Sequence, residues 1–284
     1  ELGYDGSMVL IFVATFGVVT ILVQSFYAML AKKFTRKQLM TFGVILIIIG
    51  YVMFMLMGYI KFIPVNLITV CFFGALAFGG QAIIYMTIII NMTNTIEYNE
   101  YKTGKRNEAI LFSLRPFVVK LSSAVQQGVM TLVLIIFGIY VLSQNVSELE
   151  AQKNYFDTMT ITEQIEYKNN ISLRTSILDE LDIEQERKAA IYDALEVVEF
   201  KDNDNDGIEE MIINDAADYA FKDRATDGMK LGLRISITFI PIILIILSFI
   251  IFKKKFIISE EYYDKIVEEI RLRLKKSDDV EVIV

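Results

Sequence analysis

The chain has 284 residues, 54% hydrophobic and 22% charged, with no histidine or tryptophan, one cysteine and a net charge of −7. With no histidine, Cys71 inside an apolar run and no nucleophile motif, the sequence offers no catalytic constellation, and an enzyme is not expected. The basic residues cluster at the ends of apolar runs rather than in a patch, so nucleic-acid binding has no support.

In chain order, five runs are long enough to cross a bilayer: Met8–Ala31, Leu39–Ile60, Val65–Met92, Ile110–Leu142 and Leu231–Phe252. Roughly 20 mostly apolar residues cover the ~30 Å hydrocarbon core. Inside lipid a helix satisfies its own backbone, which an open strand cannot do. The sequence therefore predicts an all-α membrane protein: residues 1–142 carry transmembrane helices one to four, and 229–252 the fifth. Spans one and two are joined by the basic turn Lys32-Lys33-Phe34-Thr35-Arg36-Lys37, and spans two and three by Tyr59-Ile60-Lys61-Phe62-Ile63-Pro64. Such short connections make antiparallel neighbours. Gly17, Gly43, Gly50, Gly74, Gly79 and Gly80 lie in the apolar runs, where small residues allow close helix approach. Gly79-Gly80 has a hinge as its other reading.

The charge divides sharply. Residues 143–228 hold 22 acidic and 8 basic residues, a net of −14, and the remainder holds 13 acidic and 20 basic, a net of +7. An acidic aqueous insertion thus interrupts a basic membrane protein. Lysine and arginine follow spans one, three and five, and positive loops stay cytoplasmic. The insertion at 143–228 is then extracytosolic and the tail at 253–284 cytoplasmic, in the cell membrane. The amino end falls outside without a signal-peptide pattern, so an odd number of upstream spans is expected to be missing.

Within the insertion, Thr162–Lys168, Ile177–Leu181 and Ile183–Val198 place apolar residues at helical spacing among charges, which predicts a small helical domain. Asn145-Val146-Ser147 matches a glycosylation acceptor, a triplet common by chance. Asp202, Asp204 and Asp206 followed by Gly207 open a calcium loop, since alternate carboxylates before a glycine suit a hard cation. Ile213 stands where a twelfth-position glutamate would be needed, and an acidic turn capping the next helix is the other reading. In the tail, Ser259 caps an amphipathic helix to Lys276, with Glu260 and Glu261 in its first turn and Tyr262, Tyr263, Ile266, Val267, Ile270 and Leu274 near one face.

Span four carries the most chemistry. Lys120 lies about 20 Å along it, near mid-depth. A charge there costs at least ~2.5 kcal/mol, so such residues usually face a protein interior or a wet cavity. Ser123, Ala124 and Gln127 follow at offsets of three, four and seven and share its face. A structural pairing of Lys120 with a carboxylate is the alternative. Arg115, about 12 Å from the helix start, can reach the boundary, and Pro116 is expected to kink the span. Between spans three and four, Glu97, Glu100 and Glu108 are mixed with Lys102, Lys105 and Arg106. Such charges at helix ends can pair to close one side of a carrier, or simply be solvated.

Glu97-Tyr98, Lys102-Thr103-Gly104-Lys105-Arg106, Glu108, Ser113 and Val118-Val119-Lys120-Leu121-Ser122-Ser123-Ala124 together resemble the glycoside–pentoside–hexuronide:cation symporters. These are melibiose-permease-like members of the major facilitator superfamily. The resemblance covers the five spans and tail and implies the last five helices of a twelve-helix carrier. It further implies Lys120 beside the sugar and cation sites and Tyr85 lining the sugar cavity. Ser123 and Gln127 are weaker substrate contacts, and Asn94, Glu97, Arg106, Glu108 and Arg115 belong to the gate. At Asn94 the family usually has aspartate, and a neutral amide cannot form that charge pair. The expected function is sugar or glycoside symport with sodium or protons by alternating access, with no organic cofactor and calcium confined to the insertion. The alternative is a membrane-anchored binding or sensing protein acting through its acidic outer domain.

Overall fold

The computed structural model describes residues 6–106, 108–179, 182–202 and 209–281. It is almost entirely helical, as an all-α membrane protein requires. The chain divides into two compact units, one of Glu1–Leu10 with Gly128–Ser236, the other of Ile11–Gln127 with Ile237–Val284.

Among the described residues five helices are long and apolar enough to span: α1 (Gly6–Lys33), α2 (Arg36–Leu56), α3 (Leu67–Thr103), α4 (Glu108–Ile136) and α10 (Asp227–Lys255). The first break is local chemistry. Thr35 and Gln38 form a reciprocal capping box, each side chain bonded to the other's backbone N–H, which starts α2 with only Phe34 and Thr35 between it and α1. Asn66 and Thr69 do the same for α3. Gly104, at φ 68°, closes α3 in the left-handed conformation that a residue with a Cβ resists.

In the second unit α2 and α3 pack as an antiparallel hairpin. A methyl group on Gly80 would lie 2.5 Å from the Gly43 carbonyl oxygen and 2.8 Å from Ile47, and one on Gly50 would meet Ala77 at 2.8 Å. These glycines are the crossing point of the hairpin. Gly79-Gly80 lies inside an unbroken helix. Tyr27, Leu39 and Ile83 form a small core where α1 meets the pair, and the Tyr27 hydroxyl pairs with that of Thr87 at 2.9 Å. Phe12 and Phe16 of α1 meet Phe78, the first tilted and the second edge-on, with ring centroids 5.2 and 4.9 Å apart. Helix α11 (Glu260–Glu281) lies against the end of α3. By contrast α4 is exposed along almost its entire length.

The first unit contains the insertion. Span four ends at Ile136, six residues before Leu142, because Gly138 takes φ 71° and a new helix, α5 (Tyr140–Thr158), begins. It is followed by α6 (Ile161–Asn169), α7 (Ile171–Asp179), α8 (Gln185–Glu196), strands β1 (Glu199–Lys201) and β2 (Glu210–Ile212), and α9 (Asn214–Phe221). Leu149, Phe156, Tyr167, Leu178, Ile191, Leu195 and Met211 are fully buried at its centre. The expected insertion is helical throughout, whereas the acidic segment is flanked by an antiparallel ribbon pairing Phe200 with Met211. The alternation Val198-Glu199-Phe200-Lys201 and Glu210-Met211-Ile212 has a period of two, which a strand buries on one face and a helix cannot. Asp202 directly follows β1, while Asp204 and Asp206 lie outside the described residues. Asn145 is 2% exposed and accepts a hydrogen bond from Arg187 Nε at 2.9 Å, so the asparagine of the glycosylation triplet is a packed core residue.

Candidate functional site

Lys120 stands twelve residues into α4, about 18 Å from its start. It is exposed, and no hydrogen-bond or ion-pair partner is found for it among the described residues. Ser123 and Gln127 are exposed on the same helix. The Ser123 hydroxyl donates to the Val119 carbonyl at 3.0 Å, a bond internal to the helix that leaves its acceptor capacity free. Pro116 is accommodated within the continuous α4.

Two predicted residues from different helices meet. Arg115 Nη2 donates to the Tyr85 hydroxyl at 2.8 Å, joining α4 to α3. The sequence placed Tyr85 at the sugar and Arg115 at the gate, and here they share one hydrogen bond. The arrangement fixes a phenol ring and a guanidinium side by side, a combination able to wall and hydrogen-bond a polyhydroxylated ligand.

Asn94, Glu97, Arg106 and Glu108, expected at the gate, lie towards the end of α3 and the start of α4. Arg106 bridges the ends of α3 and α4, reaching Glu100 at 3.1 Å and also bonding Glu108. The bond to Glu108 raises the Arg106 pKa further, but the cluster is open to water, and exposed pairs contribute little to stability. Asn94 is 3% exposed. With its amide oriented to suit its surroundings, its oxygen accepts from Arg36 Nη2 at 2.9 Å and its nitrogen donates to the Ile90 carbonyl at 3.1 Å. Glu97 has one carboxylate oxygen buried with no partner among the described residues.

Sequence reasoning missed Arg36, Glu260 and Tyr263. Arg36 donates its backbone N–H to Glu260 Oε1 at 2.6 Å. Its guanidinium lies 5.3 Å from the Tyr263 ring centre. Burial pushes the Tyr263 phenol above its usual range, with Glu97 adding to the effect and Arg36 opposing it. The cap of the tail helix at Ser259 was legible, but nothing in the sequence pairs residues 224 positions apart. Among the described residues no cluster of three or more acidic or cysteine side chains is placed to hold a metal ion.

Five long apolar helices, with charged residues gathered mostly at their ends, define a multi-pass membrane protein. The chain belongs to the MFS/sugar transport protein family, which it matches over residues 2–161. This family consists of transporters, not enzymes. The match includes spans one to four and every candidate substrate and gate residue, while span five and the tail lie beyond it. Over 115 residues the chain is 27% identical to the raffinose carrier protein of Pediococcus pentosaceus, covering 40% of this chain and 17% of that protein. It is 29% identical over 114 residues to the lactose permease of Lactobacillus delbrueckii subsp. bulgaricus, covering 40% and 17%. The lactose permease of Leuconostoc lactis is 29% identical over 112 residues, covering 39% and 16%. The chain thus spans about a sixth of the length of the curated relatives it matches. No solved structure matches it significantly.

Proposed function

We propose that the chain is the carboxy-terminal part of a secondary carrier that moves a sugar or glycoside together with sodium or a proton by alternating access. Its substrates belong with those of the relatives, lactose and raffinose being the first to try. An amino-terminal half of the same carrier completes the bundle, and substrate binds near the bilayer midplane between the halves. The basic turns support a tail in the cytoplasm and an insertion outside.

One observation carries this reading: Lys120, a charge at mid-depth on a span that the described residues leave bare. An ammonium facing acyl chains is penalised by at least ~2.5 kcal/mol, so that face of α4 has to be covered by protein or by a wet cavity. Lys120 is then the residue that donates to the sugar hydroxyls and holds the cation position when the site is empty. Tyr85 walls the sugar, and Ser123 and Gln127 extend the polar stripe.

The test is uptake of lactose or raffinose, with cation flux measured in parallel, by the complete carrier in proteoliposomes. Lys120→Ala should abolish coupled flux while leaving membrane insertion unchanged. Lys120→Arg should also fail, because a planar guanidinium cannot replace a compact ammonium. Wild-type accumulation in the alanine variant would remove the assignment.

A further inference from the structure

We propose that Glu260, on the tail helix, is the counter-charge of Arg36, and that α11 is thereby the latch on the cytoplasmic end of the α2–α3 hairpin. The pairing rests on geometry alone. Its consequence for transport rests on the carrier reading above.

The Arg36 side chain is only 14% exposed, and a charge so shielded is costly without an anion. Its neighbour across the hairpin, Asn94, offers a neutral amide. Among the described residues the one ion pair found for Arg36 is with Glu260, Nε to Oε1 at 3.8 Å. The same Oε1 accepts the Arg36 backbone N–H at 2.6 Å. That N–H opens the first turn of α2, where no intrahelical acceptor exists and where an anion is favoured by the helix dipole. One carboxylate from the tail therefore satisfies both a side-chain charge and an orphan backbone donor.

Further contacts run along α11. Tyr263 lies against the Arg36 guanidinium, and Tyr262 meets Tyr98 edge-on with centroids 6.3 Å apart. Ile266 is 1% exposed. Arg273 donates to the Tyr101 carbonyl at 3.0 Å and lies 5.1 Å from that ring. The tail thus holds α2 by its first residue and α3 by its last turns. Separation of those two helix ends must break the Glu260 contacts or carry α11 with them. Because the anion sits on the tail, the latch opens without moving a carboxylate through lipid.

Hydrogen exchange on the chain in nanodiscs tests the pairing. Glu260→Gln keeps an acceptor for the α2 backbone but loses the charge, and Arg36→Gln removes the other partner. Each should accelerate exchange of the α11 amides by about tenfold or more. The double variant should match the more affected single within about twofold. Independent, additive effects, or unchanged protection in Glu260→Gln, would overturn the pairing. For the latch, Tyr98→Cys and Tyr262→Cys on a Cys71→Ser background are bridged by a short bifunctional thiol reagent that reductant releases. The bridged carrier should lose sugar uptake and regain it on reduction. Uptake unaffected by the bridge makes α11 a static strut and sinks the latch. A carrier that takes up no sugar even unbridged overturns the proposed function instead, and the exchange cycle alone then decides the pairing.

Discussion

Asn91 buries both its side-chain nitrogen and its oxygen with no partner among the described residues. One turn away, the Thr87 hydroxyl is engaged with Tyr27 and with the Ile83 carbonyl, so it does not serve the amide. An unsatisfied buried amide costs about 1–3 kcal/mol. Asn91→Ala should therefore leave the hairpin as stable or raise its stability by about 1 kcal/mol, read as the denaturant midpoint of the reconstituted chain. A loss of stability would mean that the amide is bound by a group outside this chain. At this scale the sequence revealed charge better than pairing. Lys120 stood out because lipid makes an isolated ammonium conspicuous. The Arg115–Tyr85 bond and the Arg36–Glu260 contact were hidden, since each depends on how two helices meet rather than on spacing within one.

Among the elements, the α2–α3 hairpin is the best specified, by a capping box at each start and by glycines at the crossing. Gly80→Ala would place a methyl group against the Gly43 backbone, which cannot yield as a flexible side chain could. It should cost about 1–3 kcal/mol, as overpacking does, visible as a lower unfolding midpoint and weaker protection of α2 amides. Gly17→Ala, with nothing within 4 Å of the added atom, is the control and should be nearly neutral. The five spans were legible because apolar length is a direct record of bilayer thickness. The end of span four was not: apolar residues continue to Leu142, and only the positive φ of Gly138 turns the chain into α5. The ribbon escaped for a related reason, because three-residue strands are too short for period-two alternation to stand out.

At the scale of the whole molecule, the insertion has a core of its own and can be tested by itself in place. Tyr167 is completely buried, and burial pushes its phenol to about 12 from an ordinary 10.0, with Arg174 opposing the shift. A raised acid binds its proton more tightly in the folded state, so its stabilisation is complete below pH 10.0 and is lost as pH rises through about 12. The thermal transition of the insertion, followed by circular dichroism, should fall across that window, and Tyr167→Phe should flatten this part of the profile. The membrane part has its own whole-molecule property in α3. Its 37 residues make a rod about 55 Å long, well beyond the ~30 Å hydrocarbon thickness. Its close contact with α2, at Gly43 and Gly80, lies 23 residues, about 34 Å, from its end at Thr103. On the proposed carrier reading, a slight tilt about that contact would carry Thr103, far out along the rod, several times farther than the residues beside Gly80.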